Sequence, residues 1–220
     1  MSVKSKYFAV LACMSSMIAM TPAALAGDGS PLSLVVNGGI APTVGETGTY
    51  LKAGWTLGTG LVIQPDTAGQ LAWQVDLGYT NFNATENLVQ LGKTQNFRIN
   101  SGRGDIWSLT ADAKYSSDSD TIRPYGLVGV GAYHRYVELS QTAYGTGVVC
   151  DPWWGYCYPS VVEGSIVFAS RSQTKFGFNA GIGVEFLLEN DSSWFIEARF
   201  HWIDGSHATE YIPIQIGFKF

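Results

Sequence analysis

Apolar side chains recur at every second position through six segments of this chain, a period that an extended strand gathers onto one face and a helix would scatter around its axis. In segment 107–115 the set is Trp107, Leu109, Ala111, Ala113 and Tyr115, interleaved with Ser108, Thr110, Asp112 and Lys114. Segments 53–63, 71–79, 176–186, 194–202 and 212–220 alternate in the same way. Segment 32–40 is short and broken by glycines. Segment 123–137 sets Val128, Val130 and Ala132 against Gly129, Gly131 and Tyr133. The expectation is eight strands.

The connections between these segments are unequal in a regular way. Short turns rich in Asp, Ser, Asn and Gly fall at 65–69, 118–121 and 189–193. Between them lie two long loops, about 83–102 and 139–172, and two shorter links near 43–49 and 205–210. Short and long connections alternate, as in an antiparallel up-and-down barrel with turns at one rim and loops at the other.

The faces of the strands decide which solvent surrounds that barrel. Gly54, Gly58, Gly60, Gly177, Gly181, Gly183 and Gly217 crowd the polar face, and small residues suit a narrow interior. Trp73, Tyr115 and Trp194 fall near the turn ends of their strands, and Trp55, Trp107 and Trp202 nearer the loop ends. Two such girdles mark the interfaces of a bilayer. The apolar face is therefore assigned to lipid, which makes the chain an all-β, eight-stranded transmembrane β-barrel. Its lumen would hold the acids Asp76, Asp112, Glu185 and Glu197 and the bases Lys114, Arg199 and Lys219, with Arg135 on the segment whose parity is hardest to assign. Buried charges must pair, so a salt-bridged plug is expected.

Residues 1–26 read as a cleaved export signal, which leaves 27–220 as the barrel domain. Lys4 and Lys6 precede an apolar stretch, and Ala24-Leu25-Ala26 has the small-x-small form of a signal peptidase site. Beyond it no segment is apolar for the roughly 18–20 residues of a membrane helix. Only 14% of residues are charged, the net charge is −5, and no Lys/Arg cluster is present. Nucleic acid is thereby excluded as a partner. No metal-ligand spacing or cofactor motif is found, because His134, His201 and His207 lie on separate segments and the Gly-x-Gly fragments precede no helix.

Several motifs carry a family resemblance over nearly the whole chain after the signal. They are Gly38-Gly39-Ile40-Ala41-Pro42, Arg123-Pro124-Tyr125 followed by Gly129-Val130-Gly131, Glu197-Ala198-Arg199-Phe200-His201, and the ending Ile212-Pro213-Ile214-Gln215-Ile216-Gly217-Phe218-Lys219-Phe220. In these the chain resembles the small eight-stranded outer-membrane β-barrels of Gram-negative bacteria, the OmpA/OmpX-like and opacity-protein-like group of the porin family. The resemblance implies an outer-membrane location and contact with lipid and lipopolysaccharide. It also implies that Phe220 is the terminal signal read by the barrel-assembly machinery. It is silent on function, because fold does not fix function.

Function is sought in the loops. Cys150 and Cys157 bracket Asp151-Pro152-Trp153-Trp154-Gly155-Tyr156, and an exported chain meets an oxidising compartment, so a disulfide is expected there. Trp153, Trp154, Tyr156 and Tyr158 form a candidate surface-binding patch for a protein, a glycan or the lipopolysaccharide layer. Arg103-Gly104-Asp105 matches an adhesive tripeptide but falls where a strand begins. Some related barrels are lipid A deacylases with a His followed two positions on by Ser. Here His201 is followed by Ile203, so the nucleophile is missing and no residue is assigned as catalytic. The reading is a non-enzymatic barrel with a structural and surface-interaction role. The alternatives are a narrow channel for small or apolar solutes and, behind it, a lipid A deacylase-like enzyme.

Overall fold

The computed structural model describes residues 32–65, 70–87, 90, 101–119, 121–150, 157–188 and 192–220, so the expected signal segment lies outside the described residues. The strands are β1 (Leu32–Ala41), β2 (Gly54–Ile63), β3 (Leu71–Asn83), β4 (Ser101–Ser116), β5 (Ile122–Cys150), β6 (Cys157–Leu187) and β7 (Ser193–Ile203). The last, β8, comes in two segments, Thr209–Tyr211 and Ile214–Lys219. A single helical turn, α1 (Thr47–Tyr50), lies in the β1–β2 connection.

The two segments of β8 are one strand. Against β7 the register passes without a slip from His201 opposite Tyr211 to Ala198 opposite Ile214. The ladder is interrupted at Ile212-Pro213 because Pro213 has no N–H to donate, yet the Pro213 carbonyl still accepts from Arg199 N at 3.0 Å. Each strand pairs antiparallel with its neighbours, and β8 pairs with β1 from Val35 opposite Lys219 to Ile40 opposite Ile214, which closes the ring. Closure leaves no edge strand within the wall, the condition for a sheet to cross a bilayer. Phe220 completes the seam, exchanging backbone hydrogen bonds with Leu34 at 2.7 and 3.0 Å.

The alternation maps onto inside and outside as the sequence implies. Leu57, Leu109, Val130, Ile182, Ile196 and Ile216 face outward and are exposed, whereas Gln74, Asp112, Asn179, Glu185 and Arg199 are buried in the lumen. Ring contacts tie each aromatic girdle together. Tyr79 lies 5.3 Å from Trp55 and 4.9 Å from Trp107 toward the loop rim, and Trp194 lies 5.2 Å from Phe218 toward the turn rim.

One expectation is corrected. Segment 139–172 is not a loop, because β5 runs on to Cys150 and β6 begins at Cys157. The β4 ladder ends with Ser101 opposite Ser140, and the β7 ladder ends with Gly177 opposite Ile203. Beyond those points, among the described residues, β5 and β6 pair only with each other, as a two-stranded ribbon. The register shifts between Leu139 and Ser140, where β6 carries one extra residue, Phe168. Such a bulge bends and twists a strand pair, and this one sits where the ribbon leaves the wall. The sequence pattern failed there because 141–150 and 157–166 carry no regular apolar alternation to read.

Val130 is 66% exposed, midway along the outer face of β5. Val130→Arg should destabilise the barrel by about 2–4 kcal/mol in a bilayer, the cost of a guanidinium at mid-membrane depth. Urea titration of the protein folded in phospholipid vesicles measures this. An unchanged midpoint would contradict the assignment of that face to lipid.

Candidate functional site

The inward positions of β3 to β8 bring Asp76, Asp112, Lys114, Glu185, Glu197, Arg199 and Lys219 into two adjacent hydrogen-bonded groups that form one network. Its hub is the Arg199 guanidinium, 4% exposed as a residue. Nη1 donates to Asp76 Oδ2 at 2.8 Å and to Asp112 Oδ2 at 3.1 Å, and Nε donates to Glu197 Oε1 at 2.8 Å. Toward the turn rim, Lys114 Nζ donates to one oxygen of Glu185 and Lys219 Nζ to the other, the latter at 3.2 Å. One group thus has three carboxylates around a single cation, and the other has two cations around a single carboxylate.

Tyr125 joins the two groups. Its hydroxyl donates to Glu197 Oε2 at 2.9 Å, and Lys114 Nζ sits 3.8 Å from the centre of its ring. The carboxylates find further donors in neutral side chains: Gln74 Nε2 donates to Asp76 at 2.9 Å and Thr110 Oγ1 to Asp112 at 3.0 Å. From the sequence Tyr125 is named only within the Arg123-Pro124-Tyr125 motif and not as a lumen residue. The available signal was its parity, since it lies on the same side of β5 as Gly129 and Gly131.

Apolar layers close the network at both ends. Val35, Val62, Ala72, Leu127 and Phe195 pack around Tyr125 at the turn side. At the loop side Ala41, Phe82, Ile106, Tyr133, Ile203 and Tyr211 form a second cluster. His201 is held just beneath it, sharing a 2.9 Å hydrogen bond through Nδ1 with the Tyr133 hydroxyl and stacking on Tyr211 at 4.7 Å. Ile203, at the position where a nucleophile would be needed, is buried in that cluster. A space of about 30 Å³ remains between Arg199, His201 and Thr80, room for a water or two rather than a column of them.

The adhesive tripeptide lies in the wall, on β4. Asp105 Oδ1 accepts from Arg103 Nε at 3.0 Å, from Tyr79 Oη at 2.6 Å and from Asn81 Nδ2 at 2.7 Å. The Arg and Asp side chains thus engage each other and their neighbours, with no exposed loop apex. At the end of the ribbon Cys150 stands opposite Cys157 in the β5–β6 register. Trp153, Trp154 and Tyr156 lie outside the described residues, and Tyr158 is described only as part of the β6 backbone.

Residues 9–220 match the family model of the outer membrane protein beta-barrel domain. The chain belongs to this outer-membrane barrel family. Among solved structures it is similar to Neisserial surface protein A, with 14% identity and a TM-score of 0.51 over 86% of this chain and 96% of that one. It is also similar to Ail, the attachment invasion locus protein of Yersinia pestis, with 13% identity and a TM-score of 0.45 over 86% and 99% of the two chains. The N-terminal barrel domain of Pseudomonas aeruginosa OprF matches at 12% identity and a TM-score of 0.40, over 87% and 98%. At such identities the likeness is one of fold. No curated protein matches significantly.

As an outer-membrane barrel of a Gram-negative bacterium, the protein holds its charge network at membrane depth, where each ion depends on its partners. Arg199→Met would leave three carboxylates around an apolar side chain, and a buried ionic cluster broken from one side loses about 3–5 kcal/mol. Urea unfolding in vesicles, followed by tryptophan fluorescence, should show that loss. A shift of less than about 1 kcal/mol, the worth of a solvated surface pair, would show that water already reaches the site. The filled lumen should also be silent in planar bilayers. Discrete conductance steps from the parent protein would sink the plugged-lumen reading.

Proposed function

We propose that this outer-membrane barrel is a non-conducting, non-enzymatic surface protein whose β5–β6 ribbon carries an interaction site. The observation behind this reading is the length of ribbon that, among the described residues, pairs only with itself: 141–150 of β5 face 157–166 of β6 with no described wall strand on either side. About ten residues of antiparallel strand span on the order of 30 Å. The wall gains nothing from such a projection, and its tip carries Trp153, Trp154, Tyr156 and Tyr158. Aromatic residues gathered at a projecting tip favour recognition of a protein, a glycan or the lipopolysaccharide headgroup layer. A Cys150–Cys157 disulfide at the paired end of the ribbon would fix the tip in an oxidising compartment.

Two parts of the reading concern how the barrel reaches its membrane. Residues 1–26 would be removed after Ala26 on export, and Phe220 would present the terminal strand to the barrel-assembly machinery. Catalysis is set aside because His201 is enclosed by Tyr133 and Tyr211, with Ile203 where a deacylase would need its nucleophile.

Cells displaying the parent, a variant lacking 141–166, or Trp153→Ala/Trp154→Ala test the ribbon. Both variants should keep the heat-modifiable gel mobility of a folded barrel. Both should lose most of the parent's attachment to immobilised glycans, proteins or lipopolysaccharide, and Cys150→Ser/Cys157→Ser should weaken it. Attachment that survives removal of 141–166 would take the function away from the ribbon.

A further inference from the structure

The aromatic layer that seals the lumen is also the floor of a second space. At the loop-side mouth a cavity of about 410 Å³ is lined by Leu51, Phe82, Ile106 and Leu139, within the roughly 300–1,000 Å³ range of small-molecule sites. Phe82 and Ile106 are almost fully buried and belong to the sealing cluster, with Leu51 packed against it. That floor is well packed and apolar.

Two guanidiniums border the same cavity, Arg135 from β5 and Arg171 from β6. Arg135 Nη1 donates to Thr209 Oγ1, and Arg171 donates through Nε, at 2.9 Å, and through Nη2 to the Gln173 side-chain oxygen once that amide is turned to face the guanidinium. Neither makes an ion pair with a carboxylate among the described residues. Arg171 and Asp204 both lie within electrostatic reach of Arg135, the one repelling its charge and the other attracting it. Asp105 also borders the cavity, but its carboxylate is engaged by Tyr79, Asn81 and Arg103. The mouth therefore combines an apolar floor with one more cation than its nearby acid balances. A guanidinium offers five N–H donors, and most of those on Arg135 and Arg171 point to no acceptor in the bonds described.

We propose that this mouth cavity binds a small amphipathic anion, an alkyl carboxylate whose headgroup lies on Arg135 and Arg171 and whose chain lies on Leu51, Phe82 and Ile106. A free inorganic anion would leave the apolar floor wet, and a neutral hydrocarbon would leave two like charges without a counter-ion. The site is independent of the ribbon tip, so the two readings stand or fall separately.

The test uses the full mature barrel in phospholipid nanodiscs, with its ribbon intact. Octanoate and octylammonium, matched in chain length and opposite in charge, are titrated while the Arg135 and Arg171 Nε–H signals are followed by NMR. Octanoate should shift both signals saturably, and octylammonium should not. Arg135→Gln and the more exposed Arg171→Gln should each weaken octanoate binding roughly tenfold, as loss of a charge-assisted hydrogen bond does. Equal, non-saturating shifts with both amphiphiles would mean partition into the bilayer and would overturn the proposal. So would an unchanged Kd in folded Arg171→Gln.

Discussion

A ring of eight strands encloses a space only as wide as the side chains that point into it, so every large inward residue has to be given room by its neighbour. This chain provides the room directly across the ladder. Gly60 stands opposite Asp76, Gly129 opposite Asp112, Gly183 opposite Tyr125 and Gly217 opposite Phe195. A Cβ at any of these glycines would overlap the side chain facing it. At these four points the glycines of the polar face and the large inward side chains are one device, since Asp76, Asp112, Tyr125 and Phe195 each lean over a strand that carries no side chain there.

That arrangement explains why the lumen tolerates seven ionisable groups. A lone charge in an apolar interior costs far more than the marginal stability of a domain. Here each carboxylate of the network has a cation within hydrogen-bonding distance, and Tyr125 links the two groups. The apolar layers at either end keep bulk water from screening these pairs, which strengthens them and raises the cost of losing one partner. Stability and closure of the lumen thus have a common origin.

With the interior committed to filling itself, features free to meet another molecule lie at the loop-side end. One is the ribbon, which leaves the wall at the Leu139/Ser140 irregularity and continues with no third strand among the described residues. The other is the mouth cavity, floored by the aromatic seal and bordered by Arg135 and Arg171. Both arise because β5 and β6 outrun the strands beside them. The ribbon projects from that excess length, and the inward positions of its base, Leu139 and Arg171, form part of the cavity wall.

Strand number, the lipid-facing set and the parity of the seven lumen charges were legible in the sequence, because side chains of an extended chain alternate whatever the strand pairs with. Arg199 and Glu197 could be placed inside from Phe200 and Ile196 alone. The upper reach of β5 and β6 was not legible, since alternation reports a boundary between lipid and lumen and the ribbon has none. Nor was the inward role of Tyr125 or Phe195, whose aromatic character matches the outward set and whose placement depends on a glycine across the ladder. Which charges bond to which was decided only by the tertiary structure. Arg199 and Asp76 stand 123 positions apart in the chain, and the register and closure of the ring, rather than any local pattern, bring them to 2.8 Å.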